Sequence, residues 1–421
     1  MRRTVSPRER GRTRRRVLGV AGGLFALVLT GATVYGTAAV LAPVDPITPQ
    51  VVELERVSTP AAEVALPSYG GSAIGDAESD HLFAGVEVDT PRPIASLTKV
   101  ITALVVLHEH PIDDGSDGAT ITLTAADARL VASYAAINGT TAPAPAGRTI
   151  TQRDVIELMM VHSANNYAES LAVWGFGSVE AYLVAARAWL DEHGLTGITV
   201  ADTTGFSPEN RASPRSLLRL ARLATADPVV AAASALPRVT VAGIGSFDNR
   251  NLIVGSDGVT GLKTGTLRAS GSSLLFSAQH AGPTGEHSVV GVVLNGPDGP
   301  RVAADARALL LSVRDDYHEV ELVADDTVVA RYSSPWGDTA ELRTTTQVAD
   351  VVWGESSSVT VIRAPVVQPG VELTESATVE VRIAGERTSV PLRWVGSIDE
   401  PPLDWRLAQP LADLLELLGV D

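Results

Sequence analysis

Residues 17–42 carry no charged side chain and are predominantly apolar, so they cannot belong to a water-exposed surface or to an ordinary soluble linker. As a helix they reach about 39 Å at 1.5 Å per residue, more than the ~30 Å hydrocarbon core of a bilayer. Eight Arg and one Glu lie in residues 1–16, a basic head that the positive-inside rule places in the cytoplasm, with the rest of the chain outside. A cleaved signal peptide is the rival reading, since Thr37, Ala38 and Ala39 are small enough for a peptidase. The length of the run and the proline directly after it favour a retained anchor. Pro43, Pro46, Pro49, Pro60 and Pro67 then predict an extended linker over residues 43–69.

The basic head stands against a whole-chain charge of −16, so everything beyond it is strongly acidic. No nucleic-acid partner is expected, because phosphate binding needs a basic face. The absence of cysteine excludes thiol nucleophiles, disulfides and thiolate metal sites. The eight histidines include no His-Glu-x-x-His pair, and no metal or cofactor is expected. His108 and His110 flank a helix end and read as solvated; His162 reads as structural. Neither a G-x-S-x-G elbow nor a phosphate-binding loop occurs.

Residues 70–315 read as one catalytic-sized unit of mixed α+β character. One or two short strands are expected over 72–88. The stretch ASLTKVITALVVLHEH is apolar on all sides, the mark of a buried central helix. Thr124 with Asp127 and Thr151 with Asp154 are capping boxes. Further helices are expected over 178–193, 213–226 and 301–314, and a helix break between 152–162 and 167–174. GVTGLKTGTL, SGSSLLFSAQ and HSVVGVVLNG read as an antiparallel hairpin series. Residues 316–400 carry short β-branched runs, a small β-rich domain read as a spacer or packing module, and 401–421 form a tail or helix.

Only two lysines exist, Lys99 and Lys263; every other basic side chain in the chain is Arg. Arg holds its charge at any working pH, whereas a desolvated Lys loses a proton and acts as a base. Lys99 closes Ser96-Leu97-Thr98-Lys99 at the start of the buried helix. Residues i and i+3 share a helix face, so Lys99 Nζ reaches Ser96 Oγ and can activate that hydroxyl. The base function needs its pKa lowered, which an apolar helix and a second cation both promote. Ser163-Ala164-Asn165 sits at the helix break, where a hydroxyl can relay a proton and an amide can hold a substrate backbone. Lys263-Thr264-Gly265-Thr266 lies on an expected strand whose edge can pair with an extended peptide, Gly265 leaving room for it. Lys263 and Thr266 can bind a carboxylate. The first two motifs are weak alone and the third is moderately specific; both lysines falling inside them, in order, is not chance.

S-x-x-K, S-x-N and K-T-G together resemble the signature of penicillin-binding proteins and serine β-lactamases. PRPIASLTKVITAL, HSANNYAESLA, DTTGFSPENRASPRSLLRLA and GVTGLKTGT look like the D-alanyl-D-alanine carboxypeptidase family over roughly residues 70–300. The resemblance implies a β-lactamase/transpeptidase-like fold, with the site between a helical part and a five-stranded sheet. It implies Ser96 as nucleophile, Lys99 as base and Ser163 as proton donor to the leaving group. Asn165, Lys263, Thr264, Gly265 and Thr266 would bind substrate, and the Ser96 and Thr266 backbone N–H groups would form the oxyanion hole. Asn166 departs from the Asp of many members, which should alter local hydrogen bonding and not the reaction type.

The function implied is removal of the terminal D-Ala from peptidoglycan stem peptides through an acyl-enzyme, with β-lactams as inhibitors. A β-lactamase needs a well-placed deacylating acid; Glu209 followed at once by Asn210 fits the carboxypeptidase pattern instead. Endopeptidase cleavage of D,D-crosslinks and a penicillin-binding sensor that does not turn over are the other readings.

Overall fold

A computed structural model describes residues 7–282, 285–372 and 377–409, which divide into two compact units. Thr59–Glu319 and Val351–Ser356 form the first; the chain up to Ser58, Val320–Asp350 and the stretch from Ser357 form the second.

In the second unit, helix α1 spans Pro7–Leu41, and its portion Val17–Leu41 is long and apolar enough to cross a membrane. The helix starts within the basic head because Arg is a good helix former and proline's fixed φ suits a first helical position. A six-stranded antiparallel sheet runs in the order 50–51, 328–333, 339–344, 386–396, 378–383, 359–363. Val329, Tyr332, Leu342 and Ile398 bury its core. Residues 403–409 are helical; 1–6 and 410–421 lie outside the described residues.

Two boundaries differ from the sequence expectation. Residues 43–58 are not a free linker: Gln50 pairs with Arg331, Val51 with Ala330, and Ile47 bridges Val367. Ile47 is buried and Leu54 packs on the same core, while an edge position tolerates the neighbouring prolines, which lack an N–H to donate. Val351–Ser356, expected inside the β-rich domain, belong to the first unit. There the Trp353 indole donates to Val313 O at 3.0 Å and its ring lies 4.8 Å from Phe83.

The first unit holds eight further helices among the described residues. They are α2 (Thr98–Glu109), α3 (Ala125–Ala136), α4 (Gln152–Val161), α5 (Asn165–Phe176), α6 (Val179–Glu192), α7 (Pro214–Ala226), α8 (Pro228–Ala235) and α9 (Gly299–Arg314). Its sheet has strands β1 (Gly71–Asp76), β2 (Leu82–Val86), β3 (Val259–Leu267), β4 (Gly271–Gly282) and β5 (Gly285–Gly296), ordered β3-β4-β5-β1-β2 and antiparallel throughout. Successive strand residues face opposite sides. Leu274, Phe276, Val289 and Val293 bury against Val302, Ala306, Leu309 and Val313 of α9, while Leu262, Leu275, Val290 and Val292 join the helical cluster on the other face.

Helix α2 lies at the centre of that cluster. Val100, Ile101, Leu104, Val105, Val106 and Leu107 are all buried, and full burial of each such side chain is worth about 1.5–3 kcal/mol. Both capping boxes form: the Thr124 and Thr151 side chains accept from the Asp127 and Asp154 backbones, and each carboxylate accepts in return. The antiparallel β3-β4-β5 series places the edge strand β3 beside the start of α2, and so sets the site.

Candidate active site

Ser96 lies in a 3-10 turn, Ala95–Leu97, that runs directly into α2. The turn is held from several sides. Ile94 N donates to Asn210 O at 3.0 Å, Asn295 Nδ2 donates to Pro93 O at 3.0 Å, and Thr98 Oγ1 donates to Ala95 O at 2.9 Å. Ala95 itself sits at φ +49°, a left-handed conformation costing a side-chain-bearing residue about 1–2 kcal/mol. The surroundings over-determine it, and Ser96 is thereby presented at the mouth of the site.

Lys99 is 0 % exposed, and its Nζ touches three oxygens: Ser96 Oγ at 3.0 Å, Asn165 Oδ1 at 2.6 Å and the Thr204 carbonyl at 2.6 Å. The i,i+3 geometry expected for Ser96 and Lys99 is therefore present. Burial is the main force on the ammonium and pushes its pKa down to about 7; Asp202 opposes that, and Arg250 adds to it. Near pH 7 a substantial fraction is neutral amine, able to take the Ser96 proton across that 3.0 Å contact.

Helix α5 starts earlier than the sequence suggests, so Asn165 is its first residue and only His162, Ser163 and Ala164 separate α4 from α5. Ser163 is 5 % exposed and adopts φ +65°. Asn165 N donates to Thr140 O at 2.8 Å. With Asn165 Oδ1 taken by Lys99, its Nδ2 is the group that can donate to a bound peptide carbonyl. Asn166 matches a backbone amide at both ends: its Oδ1 accepts from Ala142 N at 3.1 Å, and its Nδ2 donates to Ala142 O at 3.0 Å. A carboxylate has no hydrogen for the second bond. His162 packs against Phe247 with ring centroids 4.2 Å apart and the planes tilted by 35°, and burial lowers its pKa. His110, read as solvated, is instead half-buried, its Nε2 2.9 Å from Gly175 O.

Lys263 is 1 % exposed, with Nζ donating to Thr264 O at 3.0 Å. Burial, with the charges of Lys99 and Arg250 adding to it, pushes its pKa well below the usual lysine range. Thr264, Gly265 and Thr266 line a pocket of about 270 Å³ that also takes in Arg250, Leu252, Ser272 and Ser273. The role expected of Gly265 needs correction. A Cβ there would stand 2.9 Å from Ile94 O, 3.0 Å from Ala95 Cβ and 3.0 Å from Ser96 N. The missing side chain lets β3 close on the 94–96 turn, and the space that it leaves faces that turn.

Two charged residues at the site had no signal in the motifs. Asp202 anchors the 202–210 loop, accepting from Thr204 N at 2.7 Å, Gly205 N at 2.6 Å and Ser207 N at 2.7 Å. Arg250 stands in the segment that leads to β3, its backbone N donating to Val161 O at 3.2 Å. Asp202 opens the family-like DTTGF segment, which was the one available hint. Glu209 is exposed; the loop offers the site a backbone carbonyl, that of Thr204. Among the described residues no cluster of three or more His, Asp or Glu could hold a metal.

Residues 63–298 match the sequence model of the D-alanyl-D-alanine carboxypeptidase family. The D-alanyl-D-alanine endopeptidase of Escherichia coli is 28% identical over 176 residues, 42% of this chain and 53% of its own. The D-alanyl-D-alanine carboxypeptidase DacB2 of Mycobacterium tuberculosis is 25% identical over 234 residues, 53% of this chain and 75% of its own. The chain thus spans about half the length of the endopeptidase and three quarters of DacB2. Among solved structures, penicillin binding protein 5 from Haemophilus influenzae superposes with a TM-score of 0.55 at 17% identity, covering 82% of this chain and 100% of that one. A Streptomyces DD-transpeptidase gives 0.52 at 22%, covering 60% and 97%. These likenesses show the β-lactamase/transpeptidase-like fold. Since the family match takes in more than half of the chain, this protein belongs to the D-alanyl-D-alanine carboxypeptidase family.

Proposed function

We propose that the protein is a serine-type D-alanyl-D-alanine carboxypeptidase acting on peptidoglycan stem peptides. One observation carries this: the buried Lys99, with its pKa near 7, lies 3.0 Å from Ser96 Oγ. Ser96 Oγ attacks the penultimate D-Ala carbonyl while the neutral Lys99 amine takes its proton. The backbone N–H groups of Ser96 and Thr266 receive the oxyanion, and loss of one such donor typically costs ~3 kcal/mol. As the C–N bond breaks, Ser163 passes a proton to the leaving D-Ala amine. Asn165 holds the acyl-side amide, and Lys263, Thr264 and Thr266 bind the terminal carboxylate, whose negative charge complements the neighbouring cations Lys263, Lys99 and Arg250. Water then hydrolyses the Ser96 ester, and β-lactams arrest the same step.

Cross-link cleavage by the same residues is the second reading, favoured by the endopeptidase relatives from Escherichia coli and Pseudomonas aeruginosa at 28% and 27% identity. We place the catalytic unit outside the cell, tethered by a retained α1. The small residues that a signal peptidase would need, Thr37 to Ala39, are helical, and Ala39 is buried. Arg406 Nη1 donates to Val40 O and Ala42 O at 3.0 Å each.

The test is intact mass against time after benzylpenicillin, together with D-Ala release from a pentapeptide. A persistent adduct that Ser96→Ala abolishes, with D-Ala release lost as well, is expected. Drug destruction without adduct would mean a β-lactamase; D-Ala release surviving in Ser96→Ala would overturn the assignment.

A further inference from the structure

Both lysines of the site are fully buried and both feel Arg250, and Lys99 also feels an anion among the described residues. That anion is Asp202. Its carboxylate is the hub of the 202–210 loop: Oδ1 accepts from Thr204 N at 2.7 Å, Thr204 Oγ1 at 3.0 Å and Gly205 N at 2.6 Å, and Oδ2 accepts from Ser207 N at 2.7 Å and Asn210 Nδ2 at 3.0 Å. These bonds fix the backbone of Thr204, whose carbonyl meets Lys99 Nζ at 2.6 Å. They also fix Gly205, which lies so close under the nucleophile turn that a Cβ on it would stand 1.8 Å from Ala95 O. A second buried layer supports the same backbone: Thr102 Oγ1 on α2 donates to Thr203 O at 2.8 Å and lies 2.9 Å from Tyr182 OH on α6.

We infer that Asp202 is a positioning residue for the proposed general base: its carboxylate shapes the loop that delivers the Thr204 carbonyl to Lys99 and sets a negative charge beside that buried amine. The inference rests on the reading of Lys99 as base. The charged and titratable groups that face Lys99 are Asp202, Arg250 and Lys263; Tyr134, bonded to Glu169, and Tyr182 are the neighbouring phenols, and both feel the Asp202 charge. Burial and Arg250 favour the neutral amine, and the charge that opposes them is that of Asp202, acting alongside the Asn165 and Thr204 oxygens that accept from the protonated form. A base driven far below neutrality would be neutral at all working pH but too weak to take a serine proton; one near 7 balances availability against strength.

The two roles separate experimentally. Rates of benzylpenicillin adduct formation are measured by intact mass from pH 5.5 to 9.5 on the full chain in detergent, for wild type, Asp202→Asn and Asp202→Glu. Asp202→Asn removes the charge but keeps an oxygen for the Thr204 and Gly205 N–H groups. Its rate should still rise with pH, but with the midpoint lowered by roughly one unit, the usual effect of a single nearby charge. Asp202→Glu keeps the charge and misplaces the hydrogen bonds, so the midpoint should stay while the plateau falls severalfold. A uniform loss in Asp202→Asn with an unmoved midpoint would reduce Asp202 to a loop scaffold and overturn the electrostatic role. Should circular dichroism show Asp202→Asn unfolded, the Glu variant decides, and a midpoint that drops there refutes the inference. A wild-type rate flat across the whole range would instead sink the Lys99 reading itself.

Discussion

The contact between Gly265 and the nucleophile turn invites the sharpest perturbation, Gly265→Ala. The new methyl would stand 2.9 Å from Ile94 O, 3.0 Å from Ala95 Cβ and 3.0 Å from Ser96 N, where ordinary contacts begin at 3.4 Å. Two of the three obstructing atoms are backbone, so no side chain can swing away, and either β3 or the turn must move by roughly half an ångström. Those two elements carry Ser96 and the proposed oxyanion donors. A 1 Å misplacement costs about 100-fold in rate, so half of that predicts roughly a tenfold loss of acylation. Overpacking should also cost about 1–3 kcal/mol of stability, or several degrees in Tm at roughly 2–4 °C per kcal/mol. Intact-mass kinetics with benzylpenicillin read the first quantity, and thermal unfolding reads the second. Expected is a slower adduct still located on Ser96, with a lowered Tm. Unchanged acylation and Tm, with only peptide turnover lost, would refute the packing argument and restore the view that Gly265 makes room for substrate.

Further expectations rest on single contacts. Because Lys99 must be neutral to accept a proton and its pKa lies near 7, wild-type acylation should rise with pH and reach half its plateau near that value; a stopped pH series checks it. Lys99→Arg should acylate at least 100-fold more slowly despite retaining the charge, since a guanidinium does not give up its proton. Asn166→Asp sets a carboxylate oxygen against Ala142 O in a fully buried position and should cost about 1–3 kcal/mol at pH 8, measured by chemical denaturation. Acidification should recover part of that loss, because a protonated carboxyl can donate again, and acylation should fall no more than severalfold. Finally, a fragment starting at residue 59 should leave the β-rich unit less stable than one starting at residue 43, as it lacks the 50–51 strand and Ile47; equal melting of the two would contradict the pairing.

How far the chain could be read in advance follows the range of the forces involved. The Ser96–Lys99 contact spans three residues of one helical turn, and the Thr124 and Thr151 capping boxes span three residues each, so spacing alone determined them. The apolar run of α1 and the K-T-G segment on a strand are equally local patterns. The other partners of Lys99 are not local. Asn165 and Thr204 lie 66 and 105 positions beyond Lys99, and no periodicity connects them; only the packing of α5 and the 202–210 loop around α2 does. The same holds for residues 43–58, whose prolines suggest a linker until a strand some 280 positions later supplies the partner. Gly265 shows the distinction within one residue. Its identity belongs to a motif visible in the sequence, but its reason, the close approach of β3 to Ser96, exists only once strand and turn are side by side. Sequence determined which groups this protein has for catalysis and in what order. Tertiary structure decided how strongly each is buried and which charge it faces, because desolvation and Coulomb interactions act through space and not along the chain.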